Sequence, residues 1–382
     1  MYNSAMQITD IRLRTLRIEK LKPYANAFDV ALQDEFVTTI IEISTDEGIT
    51  GILACQDLDD MSVDIIVNQL GPKLEGEDPR NYERIWQKLF GHEGGWRVPH
   101  HKGEVVRAIS VVDCALWDIV GKACRQPVSR LLGGFRSRIA CYASGGHYYS
   151  FTSHQDDLAE LESEMHAYME MGFRAVKICV GRDLDQDMER ARLARSVIGP
   201  ETQLLFNFDA AASRYGGVPH ALKSMRALEE LNPFWFEDPL VIDDLAGLQK
   251  LTASIDTTIA TGGNEQTIWG FREIISKRAC DVIIPDATQT CGGITEWRKI
   301  AALAHAFRIP VAANRGDPVH LNCISGVANG LLIEIFTPRD WNRVGYQKDA
   351  SLMPDADGCV AITDLPGLGI ELNEEFIGQH LL

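Results

Sequence analysis

The sequence contains no hydrophobic run long enough to cross a membrane, and its first residues lack the apolar core of a secretory signal. None of its nine cysteines forms a Cys-x-x-Cys pair, and an odd number does not favour a disulfide framework. Positive charge is also scarce, because 37 Lys and Arg residues face 54 Asp and Glu residues, for a net charge of −17. These absences argue against nucleic-acid or membrane partners and predict a cytoplasmic protein with reduced thiols. The net charge does not exclude an anionic substrate, since local charge in a cleft can oppose the total.

The composition of the whole chain, 45% hydrophobic and 24% charged, is ordinary for a globular protein. The first third of the sequence mixes strand and helix patterns. Strands are predicted from β-branched content at residues 8–18, 36–44 and 49–54, and helices from apolar periodicity at 63–70, 78–90 and 104–123. Gly71-Pro72 is expected to end the first of these helices. We expect residues 1–135 to form an α+β capping domain.

From residue 138 onward, strand and helix patterns alternate strictly. Strands are predicted at 139–143, 175–180, 203–209, 234–237, 258–261, 282–286, 310–314 and 332–335, with amphipathic helical segments such as 156–171, 185–198, 220–231, 268–277 and 294–307 between them. Eight strands in such an alternation predict a TIM (β/α)-barrel of the α/β class over residues 136–345. We expect residues 346–382 to return to the capping domain.

Acidic residues fall at four of the predicted strand ends: Asp209, Glu237, Asp286 and Glu334. Neighbouring barrel strands lie about 4.8 Å apart, so acids from the third and fourth strands can share one divalent cation. Mg²⁺ favours such carboxylate oxygens. The alternative is that each acid only caps the helix that follows it.

Lys177 lies among apolar residues of the second predicted strand. It must point into the cleft, where it can bind a substrate carboxylate or act as a base, or extend outward to solvent.

Several motifs together resemble the mandelate racemase / muconate lactonising branch of the enolase superfamily, over nearly the whole chain. They are the helix 108–118 followed by Gly121-Lys122, Leu131-Leu132-Gly133-Gly134, Glu237-Asp238-Pro239, Asp286 followed by Gly292-Gly293, and Pro366-Gly367-Leu368-Gly369. The resemblance implies an enolase-type barrel with its capping domain, Mg²⁺, a homo-oligomer, and removal of a proton next to a carboxylate. Loss of a β-hydroxyl that gives a 2-keto acid is the expected next step.

The resemblance places the first two metal ligands at Asp209 and Glu237, and the eighth-strand acid at Glu334. The third ligand position is Gly263, which weakens the expected metal site, and Glu265 two residues later is the candidate replacement.

Two catalytic positions also depart from the family pattern. The second strand ends in Cys179 where the family has a lysine base, and the histidine expected to pair with Asp286 is Asn314. Asn cannot take up a proton at neutral pH. Lys177 or a Cys179 thiolate is then the candidate base.

Other residues are candidates for substrate contacts. Tyr24 belongs to a cap connection expected to close over the barrel mouth, and His147 follows the first strand, where it can act as an acid or donor. His320 can reach the cleft or lie on the first turn of the next helix.

The function expected from the resemblance is a Mg²⁺-dependent hydro-lyase that removes water from a sugar-acid-like carboxylate through an enediolate. The alternatives are a racemase or isomerase with altered chemistry at Cys179 or Lys177, and a catalytically degenerate binding protein with the same fold.

Overall fold

The computed structural model describes residues 6–29, 31–97, 100–336, 344–348 and 352–382. Its N-terminal part opens with an antiparallel meander of β1 (Ile8–Tyr24), β2 (Gln33–Thr45) and β3 (Thr50–Gln56). The helices that follow are α1 (Asp60–Asp64), a π-helical turn (Ile65–Leu70), α2 (Gly71–Leu74), α3 (Tyr82–Phe90), α4 (Glu104–Cys124) and α5 (Val128–Leu131), with 3₁₀ turns at Pro79–Asn81 and His92–Gly94. The predicted α+β unit is therefore present.

A parallel sheet follows, with its strands ordered along the chain. They are β4 (Arg138–Ser144), β5 (Ala175–Cys179), β6 (Gln203–Asn207), β7 (Trp235–Glu237), β8 (Thr258–Thr261), β9 (Val282–Ile283) and β10 (Ile333–Phe336), and β10 pairs with β4. The helices between them are α6 (His154–Glu170), α7 (Leu184–Ile198), α8 (Ala211–Tyr215), α9 (Val218–Leu228) with a 3₁₀ turn (Glu229–Leu231), α10 (Leu245–Thr252), α11 (Thr267–Ser276), α12 (Gly293–Ala306) and α13 (Pro318–Gly326). This is the predicted TIM barrel with a capping domain.

The predicted seventh strand closes the barrel as isolated bridges. Val311 pairs in parallel with Ile283 on one side and Gly330 on the other, and the Ala312 N–H donates to the Ile283 carbonyl oxygen at 2.9 Å. Pro310 offers no N–H, so one ladder hydrogen bond is missing at the start of this segment.

Side chains of the barrel strands alternate between its interior and the surrounding helices. On β5, Ala175 belongs to the interior cluster with Leu205 and Trp235, whereas Val176 and Ile178 pack in the outer core. Because the period is two residues, Lys177 and Cys179 share the inward face with Ala175.

Helix α4 joins the capping unit to the barrel. Asp113 accepts hydrogen bonds from the Thr295 backbone N–H at 2.8 Å and from its hydroxyl at 2.6 Å, at the N-terminal turn of α12. Asp118 accepts from the backbone N–H groups of Ile52 at 2.8 Å and Leu368 at 2.7 Å. One helix therefore holds the meander, the barrel and the C-terminal segment.

The C-terminal segment contains β11 (Cys359–Ala361), antiparallel to β4, and α14 (Glu374–His380). Its last residue donates a hydrogen bond from the Leu382 N–H to the Thr15 carbonyl oxygen at 2.9 Å. The domain boundaries at 135 and 345 stay a prediction. Within the described part of the chain, no helix is both long and apolar enough to cross a membrane.

Candidate functional site

A cavity of about 510 Å³ lies at the carboxyl ends of the barrel strands. Residues of the meander and its connections cover it from the capping side, namely Lys20, Tyr24, Asn26 and Phe36. The barrel contributes the ends of its strands, with Lys177, Cys179, Asn207, Asp209, Glu237, Asp238, Asn314 and Glu334. Active sites of parallel barrels are built at this end, so the cavity is the candidate active site.

Lys177 points into the cavity and bridges two carboxylates. Its Nζ lies 2.7 Å from Glu237 Oε1 and 2.9 Å from Glu334 Oε1, and only 5% of the lysine is exposed. Burial opposes its charge, but the two glutamates outweigh burial and raise the pKa of Lys177 well above its usual value. The contacts and the raised pKa favour Lys177 as an ammonium over the predicted role as a base.

The neighbouring acids carry more negative charge than Lys177 can balance. Burial, with the nearby Glu334 and Asp238, raises the pKa of Glu237 to about 7 despite Lys177. Burial likewise raises the pKa of Asp238 to about 6 and that of Asp209 above its usual value. Glu237 and Asp238 therefore take up protons more readily than ordinary carboxyls, which relieves part of the excess charge.

The backbone is strained where two of these acids leave their strands. Asp209 has φ 46° and Asp238 has φ 40°, both in the left-handed region that non-glycine residues rarely adopt. Asn207 holds Asp209 in place, since its Nδ2 donates to Asp209 Oδ1 at 2.7 Å. Asn207 was not predicted as a site residue, although its position two residues before Asp209 puts it on the same predicted strand near the same end.

The predicted third metal ligand, Glu265, lies outside the cavity. Glu265 Oε1 accepts from the Gln266 backbone N–H at 2.7 Å and lies 3.3 Å from Lys102 Nζ, a residue of the capping unit. The loop after β8 instead presents Gly263 and Asn264, and Asn264 lines the cavity. The prediction of Glu265 as a metal ligand is therefore not supported.

The donors present do not fit the three-carboxylate Mg²⁺ site that the resemblance implies. Asp209 and Glu237 both line the cavity, but among the described residues no three His, Cys, Asp or Glu side chains are placed to hold one metal ion. Both already accept hydrogen bonds within the protein. Trp235 Nε1 donates to Glu237 Oε2 at 3.2 Å, and the Ala27 N–H donates to Asp209 Oδ2 at 3.2 Å.

Asp286 pairs with an arginine where the expected partner at position 314 is an asparagine, and His320 Nε2 lies 3.6 Å from its other oxygen, Oδ1. Arg315 Nε lies 2.7 Å from Asp286 Oδ2, and Asn314 Nδ2 lies 3.4 Å from the same oxygen. Although burial opposes ionisation, Arg315 holds the pKa of Asp286 well below its usual range. Asp286 is thus a permanent anion that anchors Arg315 at the cavity wall and cannot exchange protons at neutral pH.

Cys179 and His147 form a pair beneath the cap. Cys179 Sγ lies 3.5 Å from His147 Nδ1 and 3.6 Å from Asp209 Oδ2, and Tyr24 stacks on the His147 ring at 4.1 Å. Burial, reinforced by Asp209, raises the pKa of the Cys179 thiol well above its usual value. The predicted Cys179 thiolate is therefore disfavoured, whereas the predicted positions of Tyr24 and His147 at the cavity agree with the structure.

His320 does not reach the cavity, which corrects its prediction as a substrate-binding residue. It lies on the first turn of α13 and is 1% exposed. Its Nδ1 is 3.0 Å from Asp317 Oδ1, and its Nε2 accepts from the Ala287 backbone N–H at 3.0 Å. Both ring nitrogens are occupied by the fold, so His320 has a structural role.

The cap loop beside Tyr24 is tied to the barrel by backbone groups. Arg182 Nη1 donates to the Asp29 carbonyl oxygen at 2.8 Å, and Arg214 Nη1 donates to that of Phe28 at 3.0 Å. Together with the Ala27–Asp209 hydrogen bond, these contacts hold the loop over the mouth, as expected of a lid.

Comparisons with known proteins agree with this fold. Residues 9–133 match the family model of the mandelate racemase / muconate lactonizing enzyme N-terminal domain, and residues 160–376 match that of the enolase C-terminal domain-like family. The arabinonate dehydratase of Saccharolobus solfataricus is 29% identical, over 98% of this chain and 99% of that protein. The 3,6-anhydro-alpha-L-galactonate cycloisomerase of Streptomyces coelicolor is 30% identical, over 80% of each chain.

A similar solved structure is that of a racemase from Streptomyces coelicolor with bound magnesium. It superposes with a TM-score of 0.85 at 26% identity, covering 98% of this chain and 100% of that one.

Proposed function

Because this chain belongs to the mandelate racemase / muconate lactonizing enzyme family of the enolase superfamily, we propose that it is a lyase or isomerase acting on an acid sugar, a polyhydroxylated carboxylate. The observation that carries the proposal is the buried Lys177 ammonium at the base of the cavity, 2.7 Å from Glu237 and 2.9 Å from Glu334. Similar proteins include an acid-sugar dehydratase and a cycloisomerase. Polar side chains from strands and cap supply partners for several hydroxyl groups.

The chemistry begins at the carbon next to the carboxylate. Loss of its proton leaves an electron pair that spreads into the carboxylate as an enediolate. In the dehydratase reaction this pair forms a C=C bond while the β-hydroxyl leaves with a proton as water, and the resulting enol becomes a 2-keto acid. An isomerase of this class rearranges the substrate without loss of water.

Within this chain, we assign carboxylate binding to Lys177, because it is a fixed ammonium on the cavity wall. Proton removal is assigned to His147, because the other candidates are unsuited: Cys179 stays a thiol and Asn314 cannot accept a proton. Arg315, anchored by Asp286, is assigned to contacts with substrate oxygens. The chain's own residues supply these roles, since the donors of the cavity do not fit Mg²⁺.

A panel of aldonates and aldarates tests the proposal. We expect one or more to yield either a 2-keto acid, detected as its semicarbazone, or an isomer of unchanged mass, detected by NMR. In D₂O a 2-keto acid product should carry deuterium at the carbon that lost the hydroxyl, where the enol takes up a solvent proton, whereas an isomer reprotonated at the carbon next to the carboxylate should carry it there. His147→Gln should abolish turnover and leave substrate binding detectable by thermal shift. Ligand-induced stabilisation without turnover across the panel would instead favour the binding-protein alternative.

A further inference from the structure

The glycine at the third ligand position is favoured by the position of the Asn314 side chain and not by backbone conformation. Gly263 does not have a left-handed φ, so its backbone can accept other residues. A Cβ added there would lie 2.7 Å from Asn314 Oδ1 and 3.0 Å from Asn314 Cγ, so the Asn314 amide would have to move to admit it. The Asn314 side chain therefore fills the space in which a side chain at 263 would begin.

Asn314 is itself held in that position. Its Nδ2 faces Asp286 Oδ2 at 3.4 Å, and Asp286 is fixed by Arg315 and by the Thr288 backbone N–H at 2.8 Å. Gly263 and Asn314, the two departures from the family pattern, thus pack against each other. The Asn314 amide occupies the space that a metal-binding side chain on the loop after β8 would need.

A positive charge, the Lys177 ammonium, already lies between the carboxylates of Glu237 and Glu334. This ammonium lies at hydrogen-bonding distance from Glu237 on β7 and from Glu334 on β10. It belongs to a side chain of the protein and not to a bound ion. An ammonium is a compact point charge that can face a carboxylate oxygen much as a small cation does. Asp209 is likewise occupied, by the Ala27 N–H and by Asn207 Nδ2.

We infer that this protein works without a resident divalent cation, that Gly263 and Asn314 together exclude one, and that the Lys177 ammonium supplies the positive charge opposite the substrate carboxylate. The role of Lys177 rests on the proposed function, whereas the exclusion of the cation rests on packing alone.

The test measures cation binding and turnover separately on the full chain. Protein treated with EDTA is titrated with Mn²⁺, as a stand-in for Mg²⁺, and free Mn²⁺ is followed by electron paramagnetic resonance. Wild type is compared with Asp209→Asn, with Asn314→Ala, and with the double variant Gly263→Glu, Asn314→Ala. Glu265→Gln is the matched control, because that carboxylate lies outside the cavity. Circular dichroism verifies that each variant is folded.

We expect wild type, Asp209→Asn and Glu265→Gln to bind the same amount of Mn²⁺, and the double variant to bind one further ion. A Mn²⁺ ion held by wild type and lost in Asp209→Asn overturns the inference. A folded double variant without the extra ion overturns the exclusion by Gly263 and Asn314. If the double variant does not fold, the comparison of wild type with Asp209→Asn still decides whether the cavity holds a cation.

Measurements of turnover are the second part of the test. Activity on the panel should be the same in EDTA and in Mg²⁺, and Lys177→Met should lower kcat by about 100-fold or more, the loss typical of removing one donor to a developing anion. Activity that disappears in EDTA and returns with Mg²⁺ overturns the inference. A wild type inactive on the whole panel overturns the proposed function and the role of Lys177, and the Mn²⁺ titration decides the exclusion of the cation independently.

Discussion

At the residue scale, the charge balance of the site depends on two positive side chains that face its acidic residues. Lys177 is shared by Glu237 and Glu334, and Arg315 is committed to Asp286. A buried ion pair adds little net stability, but removal of one partner leaves uncompensated charge. Removal of Lys177 should therefore lower the stability of the fold, separately from any effect on substrate binding.

Lys177→Met is expected to lower the free energy of unfolding by about 3–5 kcal/mol at pH 8, because two buried carboxylates lose their partner. The loss should shrink as the pH falls, since the pKa of Glu237 is about 7 and its protonated carboxyl no longer needs the ammonium. Urea unfolding of both proteins at pH 8 and pH 5.5 measures this difference. A loss that is equal at the two pH values would contradict the assignment of charge repulsion as its cause.

At the element scale, a side chain of α4 caps the N-terminus of α12, which lies far away in the sequence. Asp113 accepts from the Thr295 N–H and hydroxyl, and Trp117 Nε1 donates to Thr295 Oγ1 at 2.9 Å. Helix N-termini need acceptors for their free N–H groups, and here α4 supplies one. The cap and the barrel are thereby joined through a buried acid.

Stability should depend on pH through Asp113. Burial raises its pKa to about 7, against the hydrogen bonds from Thr295, whereas the unfolded value is about 3.9. Between these values the unfolded chain has released a proton that the folded chain keeps, so stability falls as pH rises through this window, by up to about 4 kcal/mol. Asp113→Asn, which mimics the protonated acid, should remove this part of the slope. Urea unfolding from pH 4 to 8 tests it, and equal slopes for both proteins would contradict it.

The lid should open when its barrel contacts are removed. Arg182→Ala with Arg214→Ala deletes two hydrogen bonds to loop carbonyls, each worth about 1 kcal/mol, so amide exchange at residues 25–29 should become faster by about fivefold or more. Hydrogen–deuterium exchange mass spectrometry measures this change. Arg192→Ala, which removes an exposed pair with Glu230, is the control. Unchanged exchange at 25–29 in the double variant would show that other contacts hold the loop.

One predicted helix end is not found in the structure, at Gly71-Pro72. Gly71-Pro72 was predicted to end a helix, but the chain continues from the π-helical turn into α2 (Gly71–Leu74), and this prediction was wrong. Pro72 has no N–H to donate, and the Gly71 N–H bonds to the Ile66 carbonyl oxygen five residues back. A proline near a helix start is tolerated because the first N–H groups lack intrahelical partners anyway.

At the scale of the whole molecule, one hydrophobic cluster runs through both units. It includes Ile41 and Leu53 of the meander, Trp86 of α3, and barrel residues such as Phe206 and Trp297. Such a shared cluster couples the packing of the two units, although the barrel interior and part of the meander also have clusters of their own. The predicted homo-oligomer, the cytoplasmic location and the absence of nucleic-acid and membrane partners stay predictions.

Thermal unfolding should therefore occur as one cooperative transition. Differential scanning calorimetry should give a single peak, and probes in the cap and in the barrel should report the same midpoint. Trp86 in the cap and Trp235 in the barrel serve as the two positions, each compared through its Trp→Phe variant. Separate midpoints for the two units would contradict the shared core.

The sequence by itself determined the architecture, because the periods of apolar residues depend only on neighbours along the chain. Strict alternation predicted the barrel, and Asp209, Glu237, Glu334 and Lys177 were placed at its mouth because the carboxyl ends of parallel strands meet there. The inward face of β5 followed from its two-residue period.

Only the tertiary structure decided what these side chains do to one another. Glu265 and His320 are close in sequence to site residues, yet Lys102 and Asp317 hold them elsewhere. The overlap between Gly263 and Asn314 and the bridge from Lys177 join residues more than 50 positions apart. Pairings of this kind depend on distance and desolvation in three dimensions, and no spacing along the chain encodes them.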